Sequence, residues 1–67
     1  MIEVQINGAP QRLPAGISLA ELLARLGLQE RRLAIEHNLD VVPRSQYPEV
    51  RLQQGDRLEI VHAIGGG

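Results

Sequence analysis

Apolar and polar residues alternate at the start of the chain, and this alternation predicts a β-strand. Every second residue from Ile2 to Ile6 is a branched aliphatic one, and the residues between them are polar, as expected of a half-buried strand. Asn7-Gly8 follows directly, and both residues tolerate the positive φ angles that a two-residue hairpin turn requires. We therefore expect an antiparallel hairpin whose second strand covers residues 11–13.

Helical spacing replaces the alternation after residue 17. Ser18 and Glu21 have the spacing of a capping box, in which each side chain bonds the other residue's backbone N–H. Gly27 suits a left-handed helix end, and Glu21 and Arg25 are four residues apart, the spacing of a surface ion pair. The sequence predicts one amphipathic helix whose apolar stripe is formed by Leu19, Leu22, Leu23 and Leu26.

Short extended segments dominate the second half of the chain. Prolines and a Gly-Asp turn signal separate them, which is typical of strands joined by tight connections. The segments that we predict are a strand at 33–37, an extended piece at 41–42, an irregular crossing or tight turn at 44–49, a brief edge strand at 50–52 and a final strand at 58–64.

The order of elements is hairpin, helix and then two or three strands, which indicates an α+β fold. The simplest way to bury the pattern is to pack the helix on one face of a mixed sheet of four to five strands. If the first and last strands lie side by side and parallel at the centre, the fold is a β-grasp, or ubiquitin-like, fold. We expect a single domain over 1–64, followed by a flexible C-terminal glycine tail at 65–67.

Composition excludes several classes of function. The net charge is −1, and Tyr47 is the lone aromatic residue, which argues against a nucleic-acid surface. There is no cysteine, and His37 and His62 lie far apart, so we expect no disulfide and no metal site. No apolar run is long enough to span a bilayer and no signal-peptide pattern is present. We expect no membrane association and a cytoplasmic location.

No familiar set of catalytic residues is present in the sequence. Ser18 serves as a helix cap, and Ser45 has no evident histidine–carboxylate partners. Glu36 and Asp40 could form an acid pair, although solvated surface charges are the more common case. No glycine-rich phosphate-binding loop precedes a helix. We therefore predict that the chain is not an enzyme and has no catalytic residue of its own.

The chain ends in Gly65-Gly66-Gly67 directly after an apolar strand. Residues without a Cβ can pass through a narrow opening, and three extended residues reach about 10 Å. The residues alone leave two readings open, a frayed end and a working carboxylate. A carboxylate needs activation before it reacts, for example as an acyl-adenylate made from ATP and Mg²⁺ by a partner. The activated Gly67 carbonyl could then accept an amine or a sulfur nucleophile.

Several motifs of the sequence are more specific than its length, its hairpin–helix start and its terminal glycines, which fit ubiquitin-like carriers in general. They are Glu36-His37-Asn38, Val41-Val42-Pro43-Arg44, the aromatic Tyr47 and the ending from Leu58 to Gly67. With these motifs the chain resembles, over nearly its whole length, the ThiS-type sulfur-carrier proteins of thiamine biosynthesis.

This resemblance implies a function and a set of partners. A ThiF-like adenylating enzyme would use ATP to adenylate Gly67. A sulfur donor such as a cysteine-desulfurase relay would convert it to a thiocarboxylate, and a ThiG-like thiazole synthase would take the sulfur. Gly66 and Gly67 match the family's terminal pair, and Gly65 is an added glycine seen in some members; Gly65 and Gly66 would thread into the partners. The alternatives are the small subunit of molybdopterin synthase and a ubiquitin-like protein modifier.

Partner docking also needs a surface on the domain. We expect Leu58, Ile60, His62 and Ile64 to pack against the helix, so that Val61 and Ala63 emerge on the open face of the sheet beside the tail. The alternative is an exposed valine without a role. The candidate docking residues are Val61, Ala63 and Ile64.

Overall fold

In a computed structural model, residues 1–62 are described, and they form five strands, one α-helix and one 3₁₀ turn. The expectations for 63–67 lie outside the described residues. In chain order the elements are β1 (Ile2–Ile6), β2 (Ala9–Leu13), α1 (Leu19–Leu26), β3 (Leu33–His37), β4 (Asp40–Val41), the 3₁₀ turn (Arg44–Gln46) and β5 (Arg57–His62).

The strands form one mixed sheet in the order β2-β1-β5-β3-β4. β1 and β5 are parallel neighbours at its centre, with Gln5 opposite Arg57 and Ile6 opposite Leu58. The other pairings are antiparallel. Asn7 and Gly8 both have positive φ in the β1–β2 turn. The α+β fold, the parallel central pair and the predicted hairpin are therefore confirmed.

Helix α1 begins with the predicted capping box. The Ser18 hydroxyl accepts the Glu21 N–H at 3.1 Å, and the Glu21 carboxylate accepts the Ser18 N–H at 3.0 Å. Gly27 ends the helix in the left-handed conformation. Three of the four stripe leucines are buried, whereas Leu26 is 43% exposed. The hydrophobic core brings the stripe together with sheet residues such as Val4, Ile35 and Leu58.

The predicted surface pair between Glu21 and Arg25 is wrong. The capping box turns the Glu21 carboxylate back toward Ser18 and therefore away from Arg25, which lies one turn further along the helix. Within residues 1–62 the ion pair of Glu21 is formed with Arg51, at 3.4 Å. This Arg51 guanidinium also donates to the Gly16 carbonyl.

The predicted edge strand at 50–52 is also wrong, since this segment makes only an isolated bridge between Ser18 and Arg51. Its backbone serves the helix instead. The Val50 carbonyl accepts the Leu19 N–H at 3.0 Å, and the Tyr47 carbonyl, which precedes the segment, accepts the Ala20 N–H at 3.1 Å. These bonds satisfy donors of the first helical turn that have no partner within the helix.

Three strands begin one or two residues earlier than predicted, and one of them is β5, which begins at Arg57 rather than at 58. β2 begins at Ala9 and includes Pro10, which the sheet tolerates because β2 is an edge strand. β4 covers Asp40–Val41 rather than 41–42. The connection from β3 to β4 is a two-residue turn in which Asn38 and Leu39 have positive φ.

The face predicted for the final strand is partly correct. Leu58 and Ile60 are buried, as expected, but His62 is exposed. His62 pairs with Leu33 at the end of the sheet, beyond the rows that Leu58 and Ile60 form with β3, so its ring is not enclosed by the core. Ile64 lies outside the described residues. No helix among residues 1–62 is long and apolar enough to cross a membrane.

Candidate functional site

Strand β5 leads directly into the segment that the sequence marks as the working end. It lies between β1 and β3, and its last described residue is His62. The candidate tail and docking residues Gly65, Gly66, Gly67, Ala63 and Ile64 lie outside the described residues. The last described residue before this segment therefore belongs to a central strand of the sheet.

The Asn7 side chain holds the second half of β5. β1 pairs with β5 only at Gln5 and Ile6, and the Asn7 amide continues the pairing beyond them. Its Oδ1 accepts the Ile60 N–H at 2.8 Å, and its Nδ2 donates to the Ile60 carbonyl at 3.0 Å. Sequence reasoning assigned Asn7 to the hairpin turn alone. The structure gives it a second role, which is to position the strand that precedes the glycines.

Val61 lies on the sheet face opposite the helix. It is 55% exposed and stands opposite Ala34 of β3, which is also exposed. Val41 of β4 is 72% exposed and stands opposite Glu36, two residues from Ala34 on the same face. Of the candidate docking residues, only Val61 is described, and it belongs to a partly apolar open face.

His37, Asn38 and Asp56 form a polar cluster at the other end of β5. The His37 Nε2 lies 2.8 Å from the Asp56 Oδ2, and the Asn38 Nδ2 donates to the Asp56 Oδ1 at 3.2 Å. Because a carboxylate only accepts, the His37 Nε2 carries the proton. The Asn38 Oδ1 also accepts the Arg57 N–H at 2.9 Å. This cluster is separated from His62 by about 17 Å of strand, so it fixes the start of β5 and lies far from the last described residue.

The environment of Asp56 lowers the pKa of its carboxyl group. Partial burial opposes ionisation, but the hydrogen bonds from His37, the Gln53 N–H and Asn38 together outweigh it. A depressed pKa in the folded state means that the carboxylate stabilises the fold at neutral pH.

We expect Asp56→Asn to reduce stability at pH 7 and to flatten its dependence on acid pH. In the unmodified chain, the stabilisation of the fold by the Asp56 carboxylate is fully present above the unfolded pKa of about 3.9. It is lost as the pH falls through the lower pKa of the folded state. Urea unfolding between pH 2 and pH 7 measures the effect. Glu49→Gln, a change at an exposed turn residue, is the matched control. Equal pH profiles for the two variants would contradict the role of Asp56.

The two serines of the chain, Ser18 and Ser45, lie in ordinary structural positions. Ser18 is buried, and its hydroxyl is engaged in the capping box. Ser45 is an exposed residue of the 3₁₀ turn. Within residues 1–62 no group of three or more histidine, aspartate or glutamate side chains could hold a metal ion.

Arg44 and Tyr47, which carry part of the family resemblance, have structural contacts. Arg44 reaches the Gln29 carbonyl at 3.5 Å, and Tyr47 is buried in the core. Two open clefts, of about 430 Å³ and 190 Å³, include helix residues in their walls. Neither cleft is lined by a residue of β5.

Three comparisons with known proteins agree on one family. The model of the ThiS family matches residues 4–67. A protein of Bacillus subtilis called sulfur carrier protein ThiS is 36% identical over 65 residues, which cover 96% of this chain and 98% of that protein. The crystal structure of a thiamine biosynthesis protein (ThiS) from Geobacter metallireducens superimposes with a TM-score of 0.86 at 25% identity, covering 98% of this chain and 100% of that one.

A longer relative is also similar to the chain. A protein of Paramagnetospirillum magneticum called thiazole synthase is 42% identical over 66 residues, or 98% of this chain. The chain spans 20% of the length of that protein. The family match covers almost all of the chain, and the relative from B. subtilis has nearly the same length. The chain therefore belongs to the ThiS family.

Proposed function

We propose that the chain carries sulfur for thiazole formation in thiamine biosynthesis as a thiocarboxylate on Gly67. Members of the ThiS family are sulfur carriers. The observation that carries the proposal is the family match over residues 4–67, which extends to the terminal glycine. The fold supports it, because the central strand β5 leads toward this end and Asn7 fixes its second half.

The chemistry begins with activation of the Gly67 carboxylate. In a ThiF-like enzyme the carboxylate oxygen attacks the α-phosphorus of Mg²⁺-bound ATP, so that pyrophosphate leaves and an acyl-adenylate forms. A persulfide sulfur of a donor such as a cysteine-desulfurase relay then attacks the carbonyl carbon, so that AMP leaves and an acyl disulfide joins Gly67 to the donor. A second thiol of the donor attacks the donor's own sulfur in this disulfide, which releases the Gly67 thiocarboxylate and leaves a disulfide on the donor. The ATP and Mg²⁺ belong to the partner, and the carrier supplies only the acyl group.

The acceptor that we propose is a ThiG-like thiazole synthase. The relatives from P. magneticum and Magnetococcus marinus, both called thiazole synthase, each contain a segment that is 42% identical to 98% of this chain. A carrier-like segment within such a protein supports a working pair of carrier and thiazole synthase. Gly65 and Gly66 let the tail enter the acceptor, since they have no side chain to obstruct it. These steps are consistent with a cytoplasmic location.

We propose that partners dock on the open sheet face next to the tail, with Val61, Ala63 and Ile64 as contacts. Val61 supports this proposal because a half-exposed valine on an uncovered face can bury apolar surface against a partner.

Val61→Glu is expected to weaken binding of the adenylating enzyme at least tenfold, since it places a charge where the complex would bury an apolar side chain. The melting temperature should change little, because Val61 is 55% exposed. Titration calorimetry with the purified enzyme measures the affinity. Ala24→Glu introduces the same charge at an exposed position on the helix side and should bind like the unmodified chain. Equal affinities for both variants would exclude Val61 from the docking surface.

The acceptor is tested by offering the sulfur-loaded chain to two enzymes, a thiazole synthase and the large subunit of molybdopterin synthase. We expect sulfur to pass only to the thiazole precursor. Transfer only to the molybdopterin precursor would instead identify a molybdopterin synthase subunit. Covalent adducts on lysines of other proteins, lost when Gly67 is deleted, would identify a protein modifier.

A further inference from the structure

Two asparagines in different hairpin turns bond the backbone of the same strand, β5. Asn7 of the β1–β2 turn and Asn38 of the β3–β4 turn have almost the same left-handed backbone, with φ angles of 51° and 50°. The Asn38 Oδ1 accepts the Arg57 N–H at 2.9 Å, whereas the Asn7 amide bonds both backbone groups of Ile60. One turn therefore holds β5 at its start, and the other holds its second half.

The Asn7 amide takes the place of a strand residue that β1 lacks. The pairing of β1 with β5 ends at Ile6, and the Asn7 N–H adds one further backbone bond, to the Leu58 carbonyl at 2.9 Å. A side-chain amide has both an acceptor and donors, so it can bond the N–H and the C=O of one residue as a neighbouring strand would. Its loss would deprive both backbone groups of the buried Ile60 of these partners.

This amide holds β5 close to the point where the strand continues into the glycines. Backbone groups along a strand point alternately to its two neighbours. Leu58 and Ile60 face β1, so residues 59 and 61 face β3, where Val61 stands opposite Ala34. Among residues 1–62, the Asn7 amide is thus the contact nearest to the end of β5 on the β1 side. Without it, the second half of the strand would be bonded to β3 alone.

We propose that Asn7 is a positioning residue for adenylation, because it sets the direction in which the chain continues from β5 toward Gly67. The inference rests on the proposed function, in which the Gly67 carboxylate enters the adenylating enzyme. Only a carrier whose β5 end is in place is ready to bind, and the apparent affinity falls with the fraction of such carriers. Loss of the amide should therefore raise the KM for the carrier. The kcat at saturating carrier should change little, since the bound enzyme then holds the end of the chain itself.

The test compares Asn7→Gly with the matched variant Asn38→Gly. Glycine accepts the positive φ of both turns, so each variant keeps its turn and loses the amide bonds to β5. Both should lower the melting temperature, by roughly 4 to 8 °C. At a temperature where both are folded, Asn7→Gly should raise the KM for the carrier about tenfold, and Asn38→Gly should leave it unchanged. Pyrophosphate release by the purified adenylating enzyme at several carrier concentrations measures KM and kcat.

Hydrogen exchange of the backbone amides tests the hold on β5 without the enzyme. Local opening of a segment speeds the exchange of its own N–H groups more than that of the rest of the domain. We expect faster exchange at the Ile60 N–H in Asn7→Gly and at the Arg57 N–H in Asn38→Gly. Unchanged exchange at Ile60 in Asn7→Gly would overturn the inference.

The outcomes separate this inference from the proposed function. An equal rise in KM for the two variants would show that general stability alone matters, and an unchanged KM for Asn7→Gly would exclude a positioning role. In both cases the unmodified chain is still adenylated, so the inference fails and the proposed function stands. An unmodified chain that is not adenylated at all would overturn both.

Discussion

Deletion of Gly66 and Gly67 is expected to abolish sulfur loading completely while leaving the melting temperature unchanged. The reacting atom in this account is the carboxyl carbon of Gly67, and a chain that ends at Gly65 cannot bring a carboxylate as far into the adenylating site. The core that determines stability is built from residues 4–60, so the deletion removes none of it. Intact mass after incubation with ATP, adenylating enzyme and sulfur donor measures loading, and thermal unfolding measures stability.

Gly66→Ala is the matched control for the deletion. It keeps the chain length and the terminal carboxylate and adds a single Cβ to the part of the tail that enters the partner. We expect normal stability and slower adenylation. Normal loading of the truncated chain would contradict the tail mechanism, and an unchanged rate for Gly66→Ala would contradict passage through a narrow opening.

Leu22→Ala is expected to lower the free energy of unfolding by about 2–5 kcal/mol. Leu22 is fully buried in the contact between α1 and the sheet, and its truncation leaves a cavity. The domain has 67 residues, and small domains bury a modest share of their surface. The loss is therefore a large part of the free energy of unfolding, which is about 5–15 kcal/mol for native domains. Urea unfolding at pH 7 measures the change.

Leu26→Ala is the corresponding control in the same helix. Leu26 occupies the last position of the predicted apolar stripe, but it is 43% exposed, so its truncation should cost well under half as much as that of Leu22. Equal losses at the two positions would contradict the packing of α1 described above. Because α1 covers one face of the sheet that holds β5, a loss at Leu22 should also lower the amount of folded carrier available for loading.

The elements that the sequence predicted best are those specified by neighbouring residues. Asn7-Gly8 specifies its own turn through backbone conformation, and Ser18 and Glu21 specify the helix start through bonds three residues apart. The order of elements predicted a helix on one face of a mixed sheet, whereas the parallel pairing of β1 with β5 was only the condition for a β-grasp fold, which the structure meets.

The features that the sequence did not reveal depend on contacts between distant parts of the chain. The Asn7 amide bonds Ile60, 53 residues away, and nothing near Asn7 indicates this partner. Arg51 competes for Glu21 from 30 residues away. The segment 50–52 has the composition of a strand, but its backbone groups serve the start of α1, which only the folded chain makes evident.

The features of the candidate site also fall into two groups, those that neighbouring residues specify and those that depend on distant contacts. The glycine tail is visible in the sequence because its chemistry is that of the terminal residues themselves. The pairing of Val61 with Ala34 is not visible there, since it depends on the register between β3 and β5. A shift of that register by one residue would place the two side chains on opposite faces.

Mass spectrometry of the C-terminal peptide decides whether Gly67 carries the sulfur. The chain is incubated with ATP, Mg²⁺, the adenylating enzyme and a sulfur donor, and the peptide that ends at Gly67 is then fragmented. We expect one oxygen of the Gly67 carboxylate to be exchanged for sulfur, with no mass change elsewhere. An unmodified Gly67, or sulfur located on any other residue, would contradict it.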